Sequence, residues 1–155
     1  MEHKTKITAE NGKQEVMITR EFELPVELLF QAHVDPDIVG QWMGTSVLKL
    51  DAKKHGSYQY EKKDARGNVV LRSGGVIHEV IPNTQITRTF EMENTPLGVQ
   101  LEFLTFGKLT DDTSILNMHV IYESVGHRDL VLKMPFTHGL NMAHNRLQEI
   151  VNKFK

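Results

Sequence analysis

The C-terminal segment constrains the fold of this chain more than any other. Apolar residues recur there mostly at steps of three or four: Phe136, Leu140, Ala143, Leu147, Ile150, Val151 and Phe154. This period is that of an α-helix with one continuous apolar stripe, and the opposite face carries polar residues such as His138, Asn141 and Asn145. A helix of this kind must lie on a large apolar surface, which the rest of the chain has to supply.

A series of strands supplies that surface. Alternation of apolar and polar residues predicts strands at Gln14–Phe22, Ser46–Asp51, Ser57–Lys62, Asn68–Val80, Gln85–Met92, Gly98–Leu109 and Thr113–Tyr122. From residue 45 onward, short turns rich in Gly, Pro, Asn and Asp separate them, so consecutive strands pair antiparallel. Gly74 and Gly75 stand within one strand and predict a bulge or a close approach of two backbones.

Short helices flank these strands. Val26, Leu29, Phe30 and His33 recur at helical spacing after the first strand, and Asp35-Pro36 caps a second helix that ends near Gly44. A third segment, Asp129–Lys133, is interrupted by Pro135. Residues 1–13 are polar and read as a tail, with an extra edge strand as the alternative. The prediction is an α+β fold in which a curved antiparallel sheet of about seven strands surrounds the long C-terminal helix.

Composition excludes several classes of protein. The chain has 155 residues, with 18 Lys and Arg against 20 Asp and Glu, and no cysteine. This balanced charge argues against a nucleic-acid partner, and the absent cysteine removes disulfides and thiol nucleophiles. No apolar run approaches the ~18–20 residues that cross a bilayer, and the N-terminus lacks the apolar region of a signal peptide. We therefore expect a cytoplasmic protein without membrane insertion.

The sequence lacks the motifs that usually indicate catalysis or metal binding. The sequence contains no GxSxG, no GxxxxGK[ST] and no GxGxxG at the start of a helix. Its histidines are scattered, and His138 and His144, six residues apart on the last helix, point in different directions. We predict no catalytic residue, no metal site and no cofactor.

Two arginines fall on predicted inward faces. Arg20 is in register with Ile18 and Phe22, and Arg88 with Ile86 and Phe90. A buried charge is costly unless it is paired. Each arginine therefore binds a polar ligand group, pairs with a carboxylate such as Glu79, or lies near a bulge or edge where the predicted face is wrong.

Several segments together resemble a known family. In order, they are Ile18-Thr19-Arg20-Glu21-Phe22-Glu23-Leu24-Pro25, Leu29-Phe30-Gln31-Ala32, Asp35-Pro36, Gln41-Trp42 and Gly75-Val76-Ile77-His78-Glu79-Val80-Ile81-Pro82-Asn83-Thr84-Gln85-Ile86. They resemble the START-like (SRPBCC) helix-grip superfamily, and within it the branch related to the C-terminal domain of the activator of heat-shock protein 90 ATPase. The resemblance covers residues 14–154, and residues 14–155 are predicted to form a single START-like domain. Leu140 stands where the branch often has Trp, and His55 where it often has Gly.

The resemblance implies a cavity between the sheet and the last helix, and binding of lipids or other hydrophobic ligands there. The candidate ligand-binding residues are those whose side chains suit an adaptable apolar pocket, together with one arginine. They are Trp42, Met43, Tyr58, Arg88, Phe90, Met92, Phe103, Met118, Phe136 and Leu140. The alternative for each of the aromatic and methionine residues among them is packing in the core, where most such residues lie in any fold.

Three functions follow as hypotheses. The first is a non-catalytic protein that binds a hydrophobic small molecule. The second, from the name of the branch, is a stress-response module that associates with a chaperone. The third is a cyclase- or hydrolase-type enzyme, which needs at least two of Arg88, His78 and Glu79 to converge in one pocket. Whether the protein forms a homodimer is an open question, because nothing in the sequence decides the oligomeric state.

Overall fold

One antiparallel sheet organises the structure, a computed structural model that describes residues 3–155. Its strands are β1 (Lys6–Thr8), β2 (Glu15–Phe22), β3 (Ser46–Leu50), β4 (Ser57–Lys63), β5 (Val69–Ile81), β6 (Gln85–Met92), β7 (Val99–Lys108) and β8 (Ser114–Ile121). Their order across the sheet is β1-β2-β8-β7-β6-β5-β4-β3. The helices are α1 (Val26–Val34), α2 (Pro36–Met43), α3 (Val125–Lys133) and α4 (Phe136–Val151), with a 3₁₀ turn at Asn152–Phe154.

The predicted α+β helix-grip fold is confirmed, with one additional strand. β1 lies within residues 1–13 and pairs with β2, Ile7 opposite Ile18, so the edge-strand alternative describes this segment. Met1 and Glu2, which belong to the same predicted tail, lie outside the described residues. The eighth strand extends the sheet on the side where β2 would otherwise be its edge.

The two short helices form as the capping pattern predicts. The Asp35 carboxylate accepts a hydrogen bond from the backbone N–H of Asp37 at 3.0 Å, and Pro36 occupies the first position of α2. Gly44 ends α2 with φ of 66°, in the left-handed region that glycine adopts without strain. The indole N–H of Trp42 donates to the carbonyl of Ala32 at 2.7 Å, which fixes α2 against α1.

The third predicted helix is longer at its N-terminus than Asp129–Lys133. It begins after Ser124, whose hydroxyl accepts from the backbone N–H of His127 at 3.1 Å as an N-cap. The break at Pro135 is present and separates α3 from α4. The apolar stripe of α4 ends at Val151, because Phe154 lies in the following turn with 52% of its surface exposed.

The core lies between the concave face of the sheet and α4. Buried residues of β2, β7 and β8 on this face include Ile18, Leu104 and Leu116, and α4 contributes Leu147 and Val151. Within residues 3–155, no helix is long and apolar enough to cross a membrane.

Two glycines allow β5 to pass closely between its neighbours. A Cβ atom at Gly74 would collide with the carbonyl oxygen of Tyr58, and one at Gly75 with that of Thr89. Further along β5 the pairing with β6 shifts between Ile77 and Glu79. The close approach predicted for Gly74 and Gly75 is confirmed.

Candidate binding cavity

A cavity of about 480 Å³ separates α4 from the concave face of the sheet. Most of its wall is apolar. The sheet contributes residues such as Phe90 and Met118, α2 contributes Trp42, and the α3–α4 junction contributes Met134 and Phe136. The grip of the sheet on α4 therefore leaves a space that its side chains do not fill.

Most of the predicted ligand-binding residues line this cavity. They are Trp42, Met43, Arg88, Phe90, Met92, Met118, Phe136 and Leu140. They come from α2, β6, β8 and α4, elements far apart in the sequence, and the fold brings them around one space. Lys62 lies at the exposed rim of the same wall.

Two predicted residues lie elsewhere. Phe103 is on the outer face of β7, with its ring 6.0 Å from that of His119, because its neighbours Glu102 and Leu104 occupy the inner face and side chains alternate along a strand. Tyr58 is on the inner face but behind the cavity wall, where its hydroxyl donates to the carbonyl of Thr89 at 2.6 Å. Tyr60, two residues along β4, lines the cavity instead.

Arg88 is neutralised within the wall. Its Nε lies 2.8 Å from Oε1 of Glu102, its cross-strand partner on β7, and its guanidinium lies 5.2 Å from the centre of the Tyr58 ring. Gln100 donates to Oε2 of Glu102 at 2.6 Å. Arg88 thus pairs with a carboxylate, as one alternative required, but with Glu102 and not with Glu79, which lies opposite Thr87.

Arg20 lies on the inner face, as predicted, but beyond the cavity wall. It donates to the side-chain oxygens of Asn141 and Asn145 on α4 at 3.2 and 2.9 Å, and to the Thr5 hydroxyl at 3.3 Å. Its guanidinium lies 5.3 Å from the centre of the Phe22 ring. Arg20 therefore joins β2 to α4 and to the residue just before β1.

Two buried histidines also line the cavity, although neither was among the predicted ligand-binding residues. His33 of α1 is 5% exposed, and burial lowers its pKa to about 4. His144 of α4 is 1% exposed, and burial, with smaller contributions from His33 and Arg20, lowers its pKa to about 3. The sequence pattern that could have identified His33 is its position on the apolar stripe of α1. For His144, the corresponding pattern is that it directly follows Ala143, which belongs to the apolar stripe of α4. Both imidazoles are neutral at pH 7.

The catalytic hypothesis required at least two of Arg88, His78 and Glu79 to line the same cavity, and they do not. Among the residues that line it, Arg88 is present, but His78 and Glu79 on β5 are not. His78 is exposed and faces His55, with ring centres 6.4 Å apart. The part of the chain from residue 3 onward holds no cluster of three His, Asp or Glu side chains suited to a metal ion.

Known structures share this fold at low sequence identity. Protein Ms6760 from Mycobacterium smegmatis has a TM-score of 0.83 at 22% identity, over 95% of this chain and 96% of that one. A protein from Rhodobacter sphaeroides has a TM-score of 0.85 at 17% identity, over 96% and 99%. A protein from Nitrosomonas europaea has a TM-score of 0.79 at 20% identity, over 96% and 100%.

Sequence comparison identifies the family. No curated protein matches the chain. The sequence model of the family described as activator of Hsp90 ATPase homolog 1-like protein, however, matches residues 23–152, which begin directly after β2 and extend past the end of α4. The chain therefore belongs to the activator of Hsp90 ATPase homolog 1-like family, within the START-like helix-grip superfamily.

Proposed function

We propose that this protein binds an apolar small molecule in the cavity between the sheet and α4, without converting it. The observation that carries the proposal is the cavity itself, about 480 Å³ with a wall of mostly apolar side chains. That volume falls within the ~300–1,000 Å³ of small-molecule sites in proteins. Met43, Met92 and Met118 in the wall add flexible side chains that adapt to the shape of a ligand.

The charges of the wall favour a ligand that is neutral where it is buried. Arg88 is compensated by Glu102, which also accepts from Gln100, so a buried anion would have to displace an existing carboxylate. His33 and His144 add no charge at pH 7. Lys62 also carries a positive charge, but it lies at the rim of the cavity and is exposed to water.

Filling the cavity tests the proposal. Gly139 of α4 lines the cavity and is itself exposed, and a Cβ atom there would have no heavy atom within 4 Å apart from its chain neighbours and the backbone of its own helix. We expect Gly139→Leu to weaken binding of N-phenyl-1-naphthylamine, a neutral fluorophore, by about tenfold or more, because its side chain occupies the space of the probe. The substitution also removes a helix glycine, so the melting temperature should not fall.

The matched control is Gly126→Leu. Gly126 lies in α3, is exposed and does not line the cavity, so this variant should bind the probe as the unmodified protein does. Fluorescence titration gives the dissociation constants, and thermal unfolding shows that each variant folds. Equal binding by all three proteins, or no binding by any, would contradict the proposal.

Membership of the family supports a second candidate, association with an Hsp90-type chaperone. The measurement is the ATPase rate of the purified chaperone with and without this protein, together with co-purification of the two. We expect the rate to rise at saturating protein if they associate functionally. An unchanged rate without co-purification rules this candidate out.

A further inference from the structure

Two sets of polar side chains stand in the cavity wall. Arg88, Glu102 and Gln100 satisfy one another through hydrogen bonds of 2.6 and 2.8 Å. His33 and His144, from α1 and α4, each use only one ring nitrogen in the hydrogen bonds of residues 3–155. Their remaining nitrogens are polar atoms of the wall that a ligand in the cavity could engage.

The partner of His33 determines which of its nitrogens carries the proton. Nδ1 lies 2.9 Å from the backbone carbonyl oxygen of Leu29. A carbonyl oxygen only accepts, so the proton of the neutral ring is on Nδ1 and Nε2 carries a lone pair. Burial keeps the pKa of this ring at about 4, so His33 is a hydrogen-bond acceptor on the cavity wall at pH 7.

The partners of His144 assign it the opposite role. Its Nδ1 lies 2.7 Å from the Thr5 hydroxyl, and the other partner of that hydroxyl among the hydrogen bonds of residues 3–155 is Arg20 at 3.3 Å, which can only donate. Nδ1 is then the acceptor to which the Thr5 proton is directed, which leaves the proton of the neutral imidazole on Nε2. His144 is therefore a hydrogen-bond donor on the cavity wall.

The two rings lie close to the same tryptophan. The ring centres of His33 and His144 are 5.3 and 6.3 Å from that of Trp42, and electrostatic interaction with His33 contributes to the lowered pKa of His144. A neutral acceptor and a neutral donor thus stand in the same part of an otherwise apolar cavity. A hydroxyl group matches both, because it donates one hydrogen bond and accepts another.

We infer that His33 and His144 form a subsite for the hydroxyl group of an otherwise apolar ligand, an alcohol or a phenol. The hydroxyl donates to Nε2 of His33 and accepts from Nε2 of His144. A carboxylate would be buried there without a countercharge, and a ketone would leave His33 without a donor. This inference rests on the proposed binding of an apolar molecule in the cavity.

A matched pair of probes tests the subsite. 2-Naphthol and 2-methylnaphthalene differ by a hydroxyl in place of a methyl group of similar size, and displacement of N-phenyl-1-naphthylamine measures the binding of each. We expect the unmodified protein to prefer 2-naphthol by about tenfold or more, the effect of one to two net hydrogen bonds. His33→Phe, which keeps an aromatic ring but removes the acceptor, should abolish most of this preference.

Two further variants separate the subsite from general effects on the cavity. Thr5→Val removes the hydroxyl that orients the His144 proton and should also reduce the preference for 2-naphthol. Phe90→Leu, a change elsewhere in the wall, should weaken both probes by the same factor. Long-range ¹H–¹⁵N spectra of the histidine rings report the protonated nitrogen without any ligand, and should show Nδ1–H for His33 and Nε2–H for His144.

The outcomes distinguish the two proposals. If neither probe binds, the proposed function fails and the subsite fails with it. If both probes bind equally well, and His33→Phe leaves that ratio unchanged, the cavity binds apolar molecules but the hydroxyl subsite is overturned. A spectrum with Nε2–H at His33 would also overturn the subsite, because both rings would then be donors.

Discussion

At the scale of single residues, charge compensation governs the cavity wall. Arg88 and Glu102 face each other directly across β6 and β7, and their side chains are 14% and 5% exposed. The sequence indicated that Arg88 needs a carboxylate but not which one, because the partner depends on the register of β6 against β7. That register is decided by the loop between them and by packing on both faces.

Breaking this buried pair should destabilise the protein strongly. Removing one charge of such a pair leaves the other uncompensated, so we expect Glu102→Gln to lower the free energy of unfolding by about 3 kcal/mol. Replacing both partners, in Arg88→Met/Glu102→Leu, should recover most of the loss because neither charge remains buried. Urea denaturation measures both values.

Glu61→Gln is the control for this cycle. The Glu61 side chain is buried, but its partners Lys63 and Arg72 are about half exposed, so the change leaves no buried cation uncompensated and should cost less than Glu102→Gln does. Equal effects of Glu61→Gln and Glu102→Gln, or a double variant less stable than Glu102→Gln, would show that the buried pair is not the source of the stability.

At the scale of elements, periodicity predicted those helices and strands that have one apolar face. α4, α2 and the strands from β3 to β8 are such elements. β1 was left open, because a three-residue strand is too short to show alternation and depends on pairing with β2. The start of α3 was missed because Val125-Gly126 has no helical pattern, although Ser124 is a typical N-cap.

Periodicity also does not decide which residues of a strand reach the cavity. β7 has apolar residues on both faces, Leu101 and Phe103 outside and Leu104 and Phe106 inside, so composition alone did not separate the outer Phe103 from the cavity. Trp42, Phe136 and Leu140 follow from clear helical periodicity. Tyr58 and Tyr60 share a face of β4, and only the position of α4 determines which of them reaches the cavity.

At the scale of the whole molecule, the two buried histidines should make stability depend on pH. Their folded pKa values of about 4 and 3 lie below the ordinary value of 6.5. Below pH 6.5 the unfolded chain therefore binds more protons than the folded one, and the free energy of unfolding falls as the pH falls. Each histidine contributes a slope of up to about 1.4 kcal/mol per pH unit between pH 6.5 and its folded pKa.

Urea denaturation at pH 7.5, 6.0 and 5.0 checks this expectation. The free energy of unfolding should decline steadily as the pH falls below 6.5. His33→Phe should reduce this slope by up to about 1.4 kcal/mol per pH unit, the contribution of one histidine. His78→Gln, at an exposed histidine of β5, is the matched control and should leave most of the slope in place. A slope that His33→Phe does not change would show that His33 is not held neutral by the fold.

Local sequence patterns are enough to predict the α+β architecture, the order of the elements and the need for a large apolar surface beneath α4. Periodicity and capping are local properties, so residues close together in the chain are enough to establish them. Only the tertiary structure decided that a cavity remains under α4, that Arg88 meets Glu102, and that His33 and His144 share its wall. These features depend on strand register and on how far α4 stands from the sheet, and both are set by contacts between residues distant in the chain.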